Sequence, residues 1–138
     1  MAIKGFTAGC FDLLHAGHIL MFKEAKEHCD HLTVFLQTDP SIDRPTKNKP
    51  IESIEERIIK LHGCKYIDDI KIYTTEKELY NLMQFNKWDL RIIGADHKDK
   101  PFTGDDLNIP VYFNSRDHDF STTNLRKRTY EAEHAKTI

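Results

Sequence analysis

The head of this chain reads strand, tight turn, helix, and that order constrains everything after it. An apolar run over residues 3–8 leads into Gly9-Cys10-Phe11-Asp12-Leu13-Leu14-His15-Ala16-Gly17-His18. An amphipathic run follows. The spacing predicts a helix over 18–29, with Ile19, Phe22, Ala25 and Cys29 on one apolar stripe. His15 and His18 are three apart at the mouth of that helix, so they share a face. A helix start offers backbone N–H groups and the positive end of a dipole. Two imidazoles added there make a pocket suited to a polyanion such as a nucleoside triphosphate.

The rest of the chain keeps the alternation. Residues 31–36 (His-Leu-Thr-Val-Phe-Leu) read as a buried second strand. Residues 39–51 carry Pro40, Pro45 and Pro50 with Arg44, Lys47 and Lys49, a composition too rich in proline for a regular element. Ser53-x-x-Glu56 is a capping box that opens a helix over 54–62, ended by Gly63. A third strand is expected over 70–73. Thr75-x-x-Glu78 opens a helix with Leu79, Leu82, Met83 and Phe85 inward. A fourth strand over 90–93 ends at Gly94, 96–106 is a second mobile loop, and a fifth strand spans 109–113. Ser121-Thr122-Thr123 caps a last helix over 124–133. The expected fold is α/β: a Rossmann-like, doubly wound sheet of about five parallel strands with helices on both faces. Ligands of such sheets bind beyond the strand C-terminal ends, where strand order switches.

At 138 residues the chain suits one domain with a real core. Its net charge of -2 gives no global positive field to attract nucleic acid. Cys10, Cys29 and Cys64 form neither a disulfide framework nor a CxxC metal pattern. With no signal peptide and no long apolar run, the expected compartment is a reducing cytoplasm, without membrane contact.

Gly17 leaves room for phosphate against the backbone, and both histidines can donate to phosphoryl oxygens. The plainer reading is one capping and one packed histidine. Cys10, His15 and His18 could gather round a metal, but no fourth ligand stands at sensible spacing, so no metal ligands are assigned. Gly9 lets a nucleotide approach the turn. Asp12 either hydrogen-bonds the turn backbone or orients a histidine or a hydrated Mg²⁺. Lys47 and Lys49 are either solvated or part of a lid that closes on phosphates. Arg57, beside Glu55 and Glu56, would by default make a surface ion pair. Arg116 with Ser121, Thr122 and Thr123 forms a second helix-start anion site, or a simple cap. The cluster Arg126-Lys127-Arg128 reads as a solvated helix face before it reads as a nucleic-acid patch.

The stretch from Gly9 into His15-Ala16-Gly17-His18, joined to Arg116 and Ser121-Thr122-Thr123, resembles the cytidylyltransferase branch of the HxGH nucleotidyltransferase superfamily. The nearest likeness is to the small glycerol-3-phosphate cytidylyltransferases. That resemblance covers nearly the whole chain and implies one domain over 1–138. It also implies transfer of CMP from CTP to a small phosphorylated alcohol, with Mg²⁺ and release of pyrophosphate, by a protein that is commonly a homodimer. By the same resemblance His15, His18 and the loop lysine Lys49 are catalytic. Lys49 is matched by counting back from Arg57, the family's helix arginine. Gly9, Cys10, Phe11, Gly17, Gly94, Asp96, Arg116, Ser121, Thr122 and Thr123 fall to the nucleotide, and Asp12, Lys47 and Arg57 to the substrate. The chain departs from the family pattern at Cys10 (usually threonine), at Ala95 (the first acid of the turn after strand four), at His97 (often aromatic) and at Asp119 (often glycine).

The implied chemistry is in-line attack by a phosphate oxygen on the α-phosphorus. The attacking oxygen is already anionic at neutral pH, so positioning and charge stabilisation suffice. Alternative readings are an ATP-using adenylyltransferase acting on a flavin, pantetheine, nucleotide or sugar-phosphate acceptor, and a nucleotide-binding module without turnover. Nucleic-acid binding through Arg126–Arg128 is disfavoured by the net charge.

Overall fold

The structure, a computed structural model, describes residues 2–115 and 117–136. Its elements in chain order are β1 (Lys4–Gly9), α1 (Ala16–Glu27), β2 (His31–Gln37), α2 (Pro40–Asp43), α3 (Ile54–His62), β3 (Asp69–Tyr73), α4 (Glu76–Gln84), β4 (Leu90–Gly94), β5 (Val111–Asn114) and α5 (Thr122–Ala135). A single 3₁₀ turn, Ala95–His97, follows β4.

Among the described residues five strands form one sheet in the order β3-β2-β1-β4-β5, and every pairing is parallel. The chain winds outward from β1 to β3, then returns to the other side of β1 to lay down β4 and β5. The strand order therefore switches between β1 and β4, and a crevice opens there at the C-terminal ends.

Side chains alternate across each strand and feed two cores. On one face Leu32, Val34, Leu36 and Ile92 pack with Phe22 and Ala25 of α1 and Leu61 of α3. On the other, Phe6 and Phe35 pack with Leu79 and Met83 of α4 and with Trp88. Helices thus cover both faces, as the alternation required. No helix among the described residues is long and apolar enough to cross a membrane.

Local chemistry moves several boundaries. Helix α1 starts at Ala16, because His15 is its N-cap and the helix need not wait for His18. The proline-rich stretch contains a regular element after all. Asp39 caps Ser41 through its carboxylate and Pro40 takes the first position of α2, a place where a missing N–H costs nothing. Phe85, expected inward, is the C-cap of α4 and is 77% exposed. The helix has turned its stripe away by that point, leaving Leu79 and Met83 to fill the core.

Candidate active site

The turn between β1 and α1 is held in an unfavourable backbone conformation. Phe11 and Leu13 both have φ of 50°, in the left-handed region. Such residues cost on the order of 1–3 kcal/mol each and persist only where their surroundings over-determine them. The segment leading into α3 does that here. The Asp12 carboxylate accepts from the Ile51 N–H at 2.9 Å and the Glu52 N–H at 3.0 Å. In return the Leu13 N–H donates to Glu52 Oε1 at 2.6 Å, and Lys60 pairs with Glu52 Oε2 at 2.6 Å. Arg126 of α5 reaches to 3.6 Å from Asp12. Of the two roles open to Asp12, the structure displays backbone anchoring.

Arg57 is 2% exposed, which overturns the expectation of a surface ion pair. Its Nη1 donates to the carbonyls of Cys10 at 3.0 Å and Gln37 at 2.6 Å, and Nη2 donates to the Thr38 carbonyl at 2.7 Å. Nε donates to the carbonyls of Glu52 at 3.2 Å and Ser53 at 3.4 Å. Carbonyls at the ends of β1 and β2 have run out of strand partners, and buried carbonyls need donors. A planar fork with five N–H groups meets that need where a lysine would not. Arg57 Nη1 also lies 3.4 Å from Cys10 Sγ. Burial pushes the Cys10 thiol up, against the opposing pull of Arg57, so this side chain stays a neutral, small wall residue.

The two histidines of the turn cap each other's backbone. His15 Nδ1 accepts from the Gly17 N–H at 3.0 Å, and His18 Nδ1 accepts from the His15 N–H at 3.1 Å. Their ring centroids are 4.0 Å apart. Because each Nδ1 accepts, each neutral ring carries its proton on Nε2, a donor. A Cβ on Gly17 would lie 2.8 Å from His15 Cε1 and 2.9 Å from His118 Cε1, so only glycine fits between the rings. His118 thus brings a third imidazole to the first turn of α1. Its Nδ1 accepts the Phe120 N–H at 3.1 Å and its ring stacks on Phe120. Sequence reasoning passed over His118. Its one available signal was its place between Arg116 and the Ser121 cap.

These groups border a cleft of about 1040 Å³ at the C-terminal ends of the strands. Gly9, Cys10, Phe11, His15, Gly17, His18, Gly94, Ser121, Thr122 and Thr123 all line it, as does Lys47. Asp12, Lys49, Arg57 and Asp96 are not among its lining residues. Asp12 and Arg57 sit behind the wall, holding it. Lys49 acts electrostatically on Asp39, whose carboxyl is held below its ordinary range chiefly by the Ser41 hydroxyl and N–H. Arg116 lies outside the described residues. The start of α5 is capped by Ser121 Oγ, which accepts from the Asn124 N–H at 3.0 Å. Two helix N-termini, of α1 and α5, therefore border one cleft and favour negative charge in it. The lining also includes Arg44, Glu76, Arg91, Phe102 and Asn114, none of which the sequence motifs had marked.

The segment after β5 is tied to α1 by Glu24. Its carboxylate accepts from the Tyr112 hydroxyl at 2.7 Å, the Ser115 N–H at 2.9 Å and the Ser115 hydroxyl at 2.7 Å. Partial burial alone would raise its pKa, but the Ser115 and Tyr112 donors outweigh that and hold it below the ordinary 4.5. A carboxylate with a depressed folded pKa stabilises the fold above its unfolded pKa and loses that contribution as pH falls through the folded value. The wild type should therefore melt above Glu24→Gln at neutral pH. Thermal melts across pH 3–7 should show that advantage shrinking below about pH 4.5. A constant difference across the range would remove Glu24 from this role.

Residues 6–128 match the family described as Cytidylyltransferase-like. Bifunctional protein HldE of Campylobacter concisus (strain 13826) is 36% identical over 129 residues, which is 93% of this chain and 27% of that protein. The chain spans about a quarter of the length of such curated relatives. Among solved structures, the lipopolysaccharide core biosynthesis protein from Thermoplasma volcanium GSS1 superposes with a TM-score of 0.66 at 25% identity, covering 88% of this chain and 100% of that one. The pantoate-beta-alanine ligase of Francisella tularensis shares the fold, with a TM-score of 0.62 at 17% identity over 91% of this chain and 65% of its own. A parallel sheet that switches between β1 and β4, with paired imidazoles at that switch, and a family match running from β1 into α5 agree: the chain belongs to the cytidylyltransferase-like family.

Proposed function

We propose that this nucleotidyltransferase moves CMP from CTP to a small phosphorylated alcohol, with glycerol 3-phosphate as the reference acceptor, and releases pyrophosphate. The observation that supports this most is the imidazole pair, each ring fixed through Nδ1 at the start of α1 so that Nε2 is the donor. The triphosphate lies along the starts of α1 and α5. An acceptor phosphate oxygen attacks the α-phosphorus in line, the bond to the bridging oxygen breaks, and pyrophosphate carries away the electron pair. His15 and His18 donate to phosphoryl oxygens as charge builds, while the fixed turn keeps them from having to reorganise. Gly17 admits the chain of phosphates where any side chain would meet two imidazoles.

Among the described residues no three His, Cys, Asp or Glu side chains gather to hold a metal ion, and both Asp12 oxygens are engaged by backbone N–H groups. Mg²⁺ would come in on the nucleotide's own phosphates, where it would neutralise phosphate charge. Arg44 and Lys47 are the cations of the proline-rich stretch that line the cleft. Lys47→Ala should lower kcat/KM by about tenfold or more, the loss of a charge-assisted phosphate contact. Lys49→Ala should change it by less than about threefold, since Lys49 is not among the cleft-lining residues. The reverse ranking in steady-state assays would return the loop role to Lys49.

The decisive experiment is pyrophosphate release by purified protein with Mg²⁺, crossing CTP, ATP, GTP and UTP against phosphorylated acceptors. Turnover confined to CTP supports the reading. Turnover confined to ATP moves the chain to adenylyl transfer, the second reading, which the departures at Ala95 and His97 leave open. Nucleotide binding without release in any combination would sink both.

A further inference from the structure

The cleft continues on the α4 face of the sheet, where Arg44, Lys47, Tyr73, Glu76, Arg91 and Phe102 line it. Arg91 is 7% exposed. Its guanidinium lies 4.9 Å over the Phe102 ring and 5.6 Å from the Phe6 ring. Nη1 donates to the Thr103 carbonyl, yet Nε is buried with no hydrogen-bond partner. Across from it the Thr103 hydroxyl meets Glu76 Oε1 at 3.4 Å, while Glu76 Oε2 is also buried and unmatched. A donor and an acceptor left orphaned on one wall are expensive, and native structures tolerate few of them.

Thr103 shows what answers such a wall: one oxygen accepting from Arg91 and one hydroxyl donating to Glu76. A ligand with neighbouring hydroxyls presents the same pair of functions, an acceptor for Arg91 and a donor for Glu76, and can take Thr103's place on this wall. An ammonium head group would answer Glu76 but leave the Arg91 Nε–H unmatched, since it accepts no hydrogen bond. The aromatic face that would hold it already carries the Arg91 guanidinium, and that charge would repel a second cation. The Tyr73 phenol, pushed far up by burial and by Glu76, stays a neutral hydroxyl in the same wall. Arg44 and Lys47 supply two positive charges on the same cleft for a phosphate.

We propose that this wall is the acceptor subsite and that it selects a phosphorylated polyol or sugar through its hydroxyls, with Glu76 and Arg91 as the specificity residues and Thr103 giving way when the acceptor binds. The proposal rests on the nucleotidyl-transfer reading for the phosphate end of the acceptor.

The test is calorimetric titration of the nucleotide-loaded protein with glycerol 3-phosphate, glucose 1-phosphate, phosphocholine and phosphoethanolamine, paired with pyrophosphate release. At least one hydroxylated phosphate should bind about tenfold or more tightly than either amino-alcohol phosphate. Glu76→Gln should weaken that binding by about tenfold and leave nucleotide affinity within about twofold. Equal or tighter binding of phosphocholine or phosphoethanolamine would overturn the proposal, as would binding of none of the four. An equal loss of nucleotide affinity in Glu76→Gln would also overturn it. Selective binding of a hydroxylated phosphate without pyrophosphate release would keep the subsite and sink the transfer reading. Release with phosphocholine alone would do the opposite.

Discussion

His18→Ala should lower kcat by about 10²-fold or more, with the fold intact. That is the size of effect seen when a fixed donor to developing negative charge is removed. The His18 ring accepts from the His15 N–H, so its loss leaves that amide without this acceptor. His15→Ala should match it in kcat and differ in stability. His15 is the N-cap of α1, and its side chain accepts from the Gly17 N–H. Removing such a cap costs about 1 kcal/mol. His15→Asn separates the two roles, because a short amide can still cap but cannot present a ring N–H to phosphate. It should recover most of the lost melting temperature and little of the lost turnover. Near-normal kcat in both alanine variants would end the assignment of these rings to catalysis.

Arg57→Met should be strongly destabilising. Methionine fills a similar volume but leaves the carbonyls of Cys10, Gln37, Thr38, Glu52 and Ser53 without their donor. A buried polar group stripped of its partner costs about 1–3 kcal/mol, and such losses within one network do not simply add. A total of about 3–5 kcal/mol is expected, a large share of the net stability of a domain this size. The melting temperature should fall by about 10–20 °C. Arg57→Lys keeps the charge and loses the fork, so it should fall between wild type and Arg57→Met. Urea unfolding of the three proteins checks the order. A loss below about 1 kcal/mol in Arg57→Met would mean that water or chain relaxation replaces the arginine.

Arg57 also illustrates where sequence reading stops. Beside Glu55 and Glu56 it reads as a helix-surface cation, because i,i+1 neighbours are all that the linear chain displays. Its real partners come from β1, β2 and the lead into α3, as far as 47 residues away. Asp12 is similar. Its two roles were distinguishable only once Ile51 and Glu52 were brought against the turn. The two loop lysines are a third case. Matching by residue count favours Lys49, whereas it is Lys47 that lines the cleft.

The elements themselves were far more legible. The Ser53 capping box, the Thr75 cap, the alternation of strands and helices, and the glycine-framed histidines are local patterns. Their physics acts within one or two turns of helix or a few residues of strand. The sequence by itself thus determined the α/β class, the parallel sheet, and two helix starts suited to anions. Only the tertiary structure decided which side chains face the cleft and which stand behind it. It placed His118 against Gly17, turned Arg57 inward, and left Arg91 Nε and Glu76 Oε2 unmatched on the α4 side. Those outcomes depend on which distant carbonyls and rings end up without partners, and such a balance is set only when the strands have paired and the helices have packed.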